Sequence, residues 1–182
     1  MPITLTSGID AVQAKEYRVY IQSYNTAGLG DKINTLMGVG AAYAALTALT
    51  DVSTGAMKEV GELRNDSIEI TTEDGNTIEG NISGEIVLDK NGTMNMELIN
   101  CTLANMNALA AADRTQVCIL VVEKDSHLVS SVAKKTVIAI EGLTLKYNES
   151  IKGKDVIRGT LSVKKSVPNI TNFRRINEVL AS

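Results

Sequence analysis

The stretch "SIEITTEDGNTIEGNISGEIVLDKNGTMNMEL", residues 67 to 98, alternates apolar and polar side chains along most of its length. Ile68 and Ile70 share one side, and Met94, Met96 and Leu98 continue that side near the end of the stretch. Because successive side chains of a strand point to opposite faces, the alternation predicts an antiparallel meander with one dry and one wet face. The wet face is expected to be acidic, since it carries the glutamates Glu69, Glu79, Glu85 and Glu97.

The dipeptide Asn91-Gly92 is the strongest short-range hairpin signal in this stretch. A two-residue loop there would place Leu88 opposite Asn95, so apolar residues would face polar ones along the ribbon. Placing Leu88 opposite Met94 instead requires a three-residue loop, with Gly92 in its left-handed third position.

The preceding turn obeys the same arithmetic. Ile70 lies opposite Ile78 only if residues 73–75 form the loop, and that loop also ends in a glycine, Gly75. We therefore expect two hairpins of one turn type, whose register is fixed by the buried face.

Alternation or continuous apolar runs predict further strands at 17–24, 116–123, 134–150 and 156–167. The run at 116–123 is apolar throughout, which is typical of a central strand buried on both faces. A short helix is predicted at about 103–112, because Thr102 can cap its start and Leu103 and Met106 recur at helical spacing.

The predicted fold is mainly β, an antiparallel β-sandwich or a rolled sheet or barrel with one short flanking helix. We expect a single domain over residues 1–182. Residues 25–57 are rich in Gly and Ala and stay open between helix and ordered loop. The C-terminal residues 168–182 are expected to serve assembly, and within them 171–182 predicts a short helix or a tail that packs on a neighbouring subunit.

Composition argues against several classes of function. The chain has 182 residues with 44% hydrophobic content, no Trp and one Phe, so aromatic walls for a small-molecule pocket or stacking platforms for single-stranded nucleic acid are scarce. Cys101 and Cys118 are isolated and are expected to be small core residues, and a disulfide between them is not implied. With one histidine, His127, we expect neither a metal site nor a cofactor. The N-terminus lacks a secretion signal, so we expect a soluble chain made in a cytoplasm.

Catalytic motifs are weak throughout the sequence. Gly38-Val-Gly40 is not followed by a third glycine at the required spacing, and no phosphate-loop lysine motif is present. Two Ser-x-x-Lys matches, at 131–134 and 162–165, lack their companion motifs. His127 is expected to be a solvated loop residue, and we expect no enzymatic activity.

Charge is distributed unevenly along the chain. Residues 58–97 hold ten acids and three bases, a net charge of −7, whereas residues 146–175 hold eight bases and two acids, a net charge of +6. Two solvated faces of a monomer would explain this, and so would a head-to-tail contact between acidic and basic surfaces of successive copies. In the second case the basic contacts would come from Lys152, Lys154, Arg158, Lys164, Lys165, Arg174 and Arg175.

The layout of residues 58–165 resembles the tail tube proteins of tailed bacteriophages. The matching features are a Gly61-x-Leu63 step, a strand that opens at Ser67, acidic alternation through Glu73, and a hairpin into the next strand near Gly80. Ile68 and Ile70 also match, and the helix and later strands fall where that family has them. Tubes of contractile injection and type VI secretion systems share this architecture.

The resemblance implies hexameric rings whose sheets join into one inner barrel and which stack through long loops and termini. The genome would pass through the lumen without specific binding, and an acidic lumen lined by the four glutamates would repel DNA phosphates. The partners would be further copies and other tail proteins, in the virion, with assembly in the host cytoplasm and no membrane. The alternatives are another virion ring component, such as a tail terminator or a head-to-tail connector, and a β-domain enzyme or carbohydrate-binding module.

Overall fold

The computed structural model describes residues 16–60, 62–63, 67–80, 84–87, 89–99, 102–150, 158–167 and 173–182. The strands in them are β1 (Tyr17–Ser23), β2 (Lys58–Glu59), β3 (Glu62–Leu63), β4 (Glu69–Asp74), β5 (Thr77–Gly80), β6 (Gly84–Val87), β7 (Lys90–Ile99), β8 (Gln116–Glu123), β9 (His127–Val129), β10 (Val132–Ser150), β11 (Arg158–Val167) and β12 (Arg175–Leu180). The helices are α1 (Leu29–Leu36), α2 (Tyr43–Thr50) and α3 (Leu103–Ala111). The fold is therefore mainly β, as predicted.

Ten of these strands form one antiparallel sheet with the order β2-β1-β8-β10-β11-β7-β3, in which β9 and β12 also pair with β10 and β4 also pairs with β7. The sheet is rolled but not closed into a barrel, so the rolled form among the predicted alternatives is the one observed. Strands β5 and β6 pair only with each other.

The roll is made by β10, which spans 19 residues and changes partner along its length. Its first half pairs with β12 up to Ala139, and its second half pairs with β11 from Thr144 onward. Between them the register against β8 shifts at Ile140/Leu143, and Gly142 has a φ of +64°. This bulge bends the strand, since an extra residue breaks the ladder and a left-handed backbone suits glycine.

One half of the rolled sheet consists of β1, β8 and the first half of β10, and the other consists of β4, β7, β11 and the second half of β10. These two halves enclose one core, and the helices cover a second. Strand β8 serves both, as its unbroken apolar sequence predicts: Ile119 and Val121 enter the core between the halves, whereas Leu120 and Val122 pack under α1 and α2. Cys118 joins the second core, as expected, and burial raises the pKa of its thiol. Cys101 lies outside the described residues.

The segment left open at 25–57 contains two short helices joined by a glycine turn. In α1 the buried residues Leu29, Ile33 and Leu36 recur at helical spacing and face the sheet. Gly40, with a φ of +71°, makes the turn toward α2. The predicted helix at 103–112 is confirmed as α3, and the Thr102 hydroxyl accepts a hydrogen bond from the Asn105 amide at 3.2 Å.

Both predicted three-residue loops are wrong. Ile70 pairs with Met94 and Ile78 pairs with Ile86, so β4 and β5 pair with β7 and β6 as the two arms of one long hairpin. Gly92 lies inside β7, between Thr72 and Lys165, and Gly75 lies at a break in the ladder, where its amide bonds the Asp89 carbonyl at 2.9 Å. The predicted register failed because it paired each segment with the next one in the sequence. The chain instead pairs the two outer segments, β4 and β7, and the two inner segments, β5 and β6. The dry and wet faces nevertheless stand, since Met94, Met96 and Leu98 are buried.

The C-terminal residues do not form the predicted helix. Arg175–Leu180 is strand β12, paired with the first half of β10 from Lys134↔Leu180 to Ala139↔Arg175. In this strand Val179 is buried, whereas Ile176 on the opposite face is 52% exposed. A period of two therefore replaces the helical spacing inferred from Phe173, Ile176 and Leu180. Phe173 itself enters the core between the two halves of the sheet.

Candidate functional site

The second half of the sheet has a polar outer face, opposite its buried one. Strands β4, β7, β11 and the end of β10 lie side by side in it, and every pair is antiparallel. Alternation directs the residues of these strands that do not enter the core to this face. We call it the polar face, and its described residues are Glu69, Thr71, Glu73, Asn91, Thr93, Asn95, Glu97, Thr144, Lys146, Asn148, Thr160, Ser162 and Lys164.

Small hydroxyl and amide side chains occupy the centre of the polar face and bond across the strands. The hydroxyls of Thr71 and Thr93 lie 2.6 Å apart, and the Ser162 hydroxyl donates to the Asn95 side-chain oxygen at 2.7 Å. Cross-strand pairs of this kind fix the orientation of the side chains on the face. The face therefore offers many hydrogen-bonding groups and no large apolar side chain among the residues that define it.

The charges on the polar face are separated by strand. Glu69 and Glu73 on β4 are exposed and Glu97 on β7 is half-buried, whereas Lys146 on β10 and Lys164 on β11 are exposed. Two of the predicted acidic residues thus lie on this face, together with lysines that the sequence did not associate with them. These acids and lysines are brought together by the pairing of four strands, and local alternation in the sequence does not reveal that pairing.

The other two predicted acids lie in the β5–β6 ribbon, where Glu79 pairs directly with Glu85. Their backbone continues the long hairpin beyond the main sheet. The structure therefore divides the predicted acidic set between the polar face and the ribbon.

Two of the predicted basic contacts are engaged within the chain. The Lys165 ammonium donates to the Glu141 carbonyl at 3.0 Å, and the Arg175 guanidinium contacts the Glu141 carboxylate and donates to the Asn34 side chain at 2.9 Å. These contacts surround the bulge of β10. Arg174 is half-buried.

The remaining basic candidates are only partly described. Lys164 lies on the polar face. Lys152 and Lys154 lie outside the described residues, and Arg158 is described only as the first backbone position of β11.

His127 is a half-buried strand residue and not the solvated loop residue expected from the sequence. Its Nδ1 lies 2.9 Å from the buried Glu123 carboxylate, which also accepts the Thr136 amide at 2.8 Å. On the other side, His127 Nε2 lies 3.6 Å from Glu178, whose carboxylate meets Lys134 at 3.3 Å. The imidazole therefore bridges the end of β8 to the C-terminal strand β12.

A groove of about 420 Å³ runs between the α1–α2 turn and β12, and His127 does not line it. Its charged groups, Lys134 and Glu178, are paired with each other. Its lining residues are Val39, Gly40, Ala41, Lys134, Ile176, Asn177, Glu178 and Leu180. The polar groups around His127, which are Glu123, Glu178 and Lys134, contact one another through the imidazole and the Lys134–Glu178 pair.

The described part of the chain contains no group of three or more His, Cys, Asp or Glu side chains placed to hold a metal ion. None of its helices is long and apolar enough to cross a membrane. Comparison with models of known protein families gives no match, and comparison with curated proteins also gives none.

Proposed function

We propose that the chain is a structural, non-enzymatic subunit of a phage tail tube, with the polar face turned toward the lumen. The single observation that carries the proposal is this face of hydroxyl and amide side chains that bond across the strands. A conduit for a long polyanion needs a wall that neither sticks through apolar patches nor captures phosphates through strong cation clusters. Thr71, Thr93, Asn95 and Ser162 give the face that character.

The sheet edges support assembly into rings. Asn177 on β12 donates to the carbonyls of Leu36 and Gly38 at 2.8 Å each, and the Leu180 amide reaches the Ala41 carbonyl at 3.4 Å, so the α1–α2 turn covers this edge. Strand β4 pairs only with β7 among the described strands. An uncovered edge strand tends to find a partner, and a closed ring of sheets protects it.

The long hairpin supports stacking of such rings. The β5–β6 ribbon pairs only with itself in the described part of the chain, and an isolated two-stranded ribbon is marginal in water. Contact with a copy in the next ring would stabilise it. A tail terminator or head-to-tail connector remains the alternative, and it would form a single ring that does not stack.

Electron microscopy of the concentrated protein tests the proposal directly. We expect rings and stacked tubes with a central channel. A strictly monomeric protein at high concentration would contradict tube formation, and isolated rings would favour the terminator or connector.

The orientation of the polar face can be tested by cysteine labelling. Both variants are made in a chain whose two native cysteines are replaced. Thr93→Cys places the thiol on the polar face, and Lys32→Cys, on the exposed side of α1, is the matched control. In assembled tubes a small maleimide should label both, whereas a maleimide on a bulky polymer should label only Lys32→Cys. Equal labelling by the bulky reagent in intact tubes would place the polar face outside the lumen.

A further inference from the structure

The imidazole of His127 lies between two carboxylates that belong to different strands. On one side, Nδ1 is 2.9 Å from the carboxylate of Glu123, whose side chain is 5% exposed. On the other side, Nε2 is 3.6 Å from a carboxylate oxygen of Glu178 on β12. His127 pairs with Lys134 of β10, and Thr136, two residues further along β10, pairs with Glu178. The imidazole therefore reaches Glu178 across β10, on one face of the sheet.

The two contacts of the imidazole differ in what they require of its protons. An ionised carboxylate only accepts hydrogen bonds, and a neutral imidazole has a single N–H. The Glu123 carboxylate, which also accepts the Thr136 amide at 2.8 Å, takes that N–H at Nδ1. The Nε2 lone pair then faces the Glu178 carboxylate, and two acceptors do not attract each other. When the imidazole is protonated, both of its nitrogens donate and both carboxylates are bound.

The lysines around the imidazole are held by other oxygens. The Lys134 ammonium lies 3.3 Å from the second oxygen of Glu178, so the two oxygens of this carboxylate face two different cationic groups when His127 is protonated. The Lys135 ammonium donates to the backbone carbonyls of Glu123 and Lys124. The charged or titratable groups on the elements around the imidazole are Glu16, Tyr17, Glu123, Lys124, Asp125, Lys134, Lys135 and Glu178.

Strand β12 has six residues, and its two ends are held differently. Its start is fixed by Arg175, which contacts the Glu141 carboxylate. Its later residues rely on backbone pairing with β10, on the buried side chain of Val179 and on the carboxylate of Glu178. The ends of a sheet open more readily than its core. A tie at Glu178 therefore changes how often this end of β12 opens.

We propose that His127 is a pH-sensitive clasp for strand β12. The protonated imidazole ties Glu178 to Glu123 across β10, and loss of the proton releases Glu178. The tie is present at low pH and is lost as the pH rises, because only the protonated form donates from both nitrogens. Histidine ordinarily changes charge between about pH 5 and 8, so the test is made in that range. The clasp goes beyond the proposed tube, since it acts within one copy.

Hydrogen exchange of the β12 amides in the full chain tests the clasp, and the interpretation is simple because the chain has a single histidine. Protection factors, corrected for the intrinsic pH dependence of exchange, are measured at several values between about pH 5 and 8. Protection of the amides around Glu178 should fall about three- to tenfold as the pH rises, whereas protection of the β11 amides should stay constant. The Cε1 proton of the imidazole, followed by NMR in the same samples, reports the charge of His127.

Three variants separate the clasp from the other contacts of Glu178. His127→Gln can still donate a hydrogen bond to Glu123 but carries no charge, so the pH step in β12 protection should vanish. Glu178→Gln keeps the contact between His127 and Glu123 and should also abolish the step. Lys134→Gln is the matched control, because it removes the other ion pair of Glu178. That variant should lower the protection of β12 at every pH while keeping the step.

The results decide the proposal as follows. A step that is lost in both His127→Gln and Glu178→Gln and kept in Lys134→Gln supports the clasp. A change in the charge of the imidazole without a step in β12 protection overturns it, and so does an imidazole that stays in one charge state throughout the range. A step that persists in folded His127→Gln belongs to another group and overturns the clasp as well. Should His127→Gln fail to fold, Glu178→Gln decides, because it leaves the buried contact with Glu123 in place.

Discussion

Gly92 lies in β7 directly against the ring of Phe173. A Cβ atom built on Gly92 would lie 2.6 Å from Cε2 of that ring, closer than real Cβ atoms approach other atoms. Phe173 is 1% exposed and belongs to the core between the two halves of the sheet. The glycine is therefore needed for close approach inside a strand, and not for the left-handed turn that the Asn-Gly dipeptide suggested.

Gly92→Ala should destabilise the fold by about 1–3 kcal/mol, because the added methyl group forces the ring or the strand to move. The measurement is urea unfolding, with thermal unfolding as a second probe. Gly30→Ala is the matched control: its Cβ meets nothing within 4 Å, and alanine favours the helix, so that variant should keep or gain stability. Phe173→Leu should recover part of the loss when combined with Gly92→Ala. Full stability of Gly92→Ala alone would contradict the close approach.

The hairpin between β9 and β10 has the two-residue turn that the Asn-Gly dipeptide does not make. Val129 pairs with Val132, and the intervening Ser130 and Ser131 have φ values of 50° and 65°. Asparagine is favoured at the first position of such a turn and glycine at the second. The double variant Ser130→Asn with Ser131→Gly should therefore stabilise the protein by about 1 kcal/mol, because the relief of strain at positive φ outweighs the entropic cost of glycine.

Thermal unfolding checks this prediction, with Ser131→Val as the opposing variant. A β-branched residue is strained at positive φ, so Ser131→Val should lower the midpoint. A fall in stability of the double variant would contradict the turn assignment.

Asp51 closes the turn after α2 and should make stability depend on pH. One of its carboxylate oxygens accepts the amides of Thr54 and Ser53 at 2.8 and 2.9 Å and both hydroxyls. These hydrogen bonds hold the pKa of Asp51 well below its ordinary value of 3.8. A lowered pKa means that the contribution is present above the ordinary value and is lost as the pH falls through the folded-state value.

Asp51→Asn should accordingly lower the unfolding midpoint at neutral pH, and the gap from the wild type should narrow below about pH 4. Midpoints measured at several pH values give that gap. Asp125→Asn, at another exposed loop position, is the control that should change little. A gap that stays constant down to about pH 2 would show that the charge of Asp51 does not matter.

Glu141 at the bulge of β10 should contribute to stability through its contacts with Arg175. Arg175→Met leaves the carboxylate without its guanidinium and should cost about 1 kcal/mol, since both groups are partly exposed. Arg18→Met removes an exposed pair with Glu59 at 3.8 Å and should cost less than about 0.5 kcal/mol. Equal losses of unfolding free energy in the two variants, measured by chemical denaturation, would mean that the contact at the bulge stabilises the fold no more than an exposed ion pair does.

Local patterns in the sequence predicted the elements better than their pairing. The apolar run 116–123 and the cap at Thr102 identified β8 and α3, because burial on both faces and capping are written in neighbouring residues. The partner of β4 was missed, because either register satisfied the alternation of Ile70, Ile78 and Met94. Only pairing within the whole sheet distinguishes these two registers. The position of Phe173, far along the chain, explains why residue 92 is a glycine.

The candidate surface was predicted in the same uneven way. Alternation identified Glu69 and Glu97 as members of a wet face, and the structure brings both onto the polar face. It could not reveal that Lys146 shares this face, because β7 and β11 lie between β4 and β10 in the sheet. Arg175 was assigned to an intersubunit contact on charge alone, and its position beside Glu141 depends on a bulge in another strand.

Strand β10 belongs to both halves of the rolled sheet and pairs with β8, β9, β11 and β12. Opening one core would pull this continuous strand away from its partner strands in the other core as well. The two cores should therefore melt in a single cooperative transition, and the amides near Ile140 should exchange with solvent only through global unfolding.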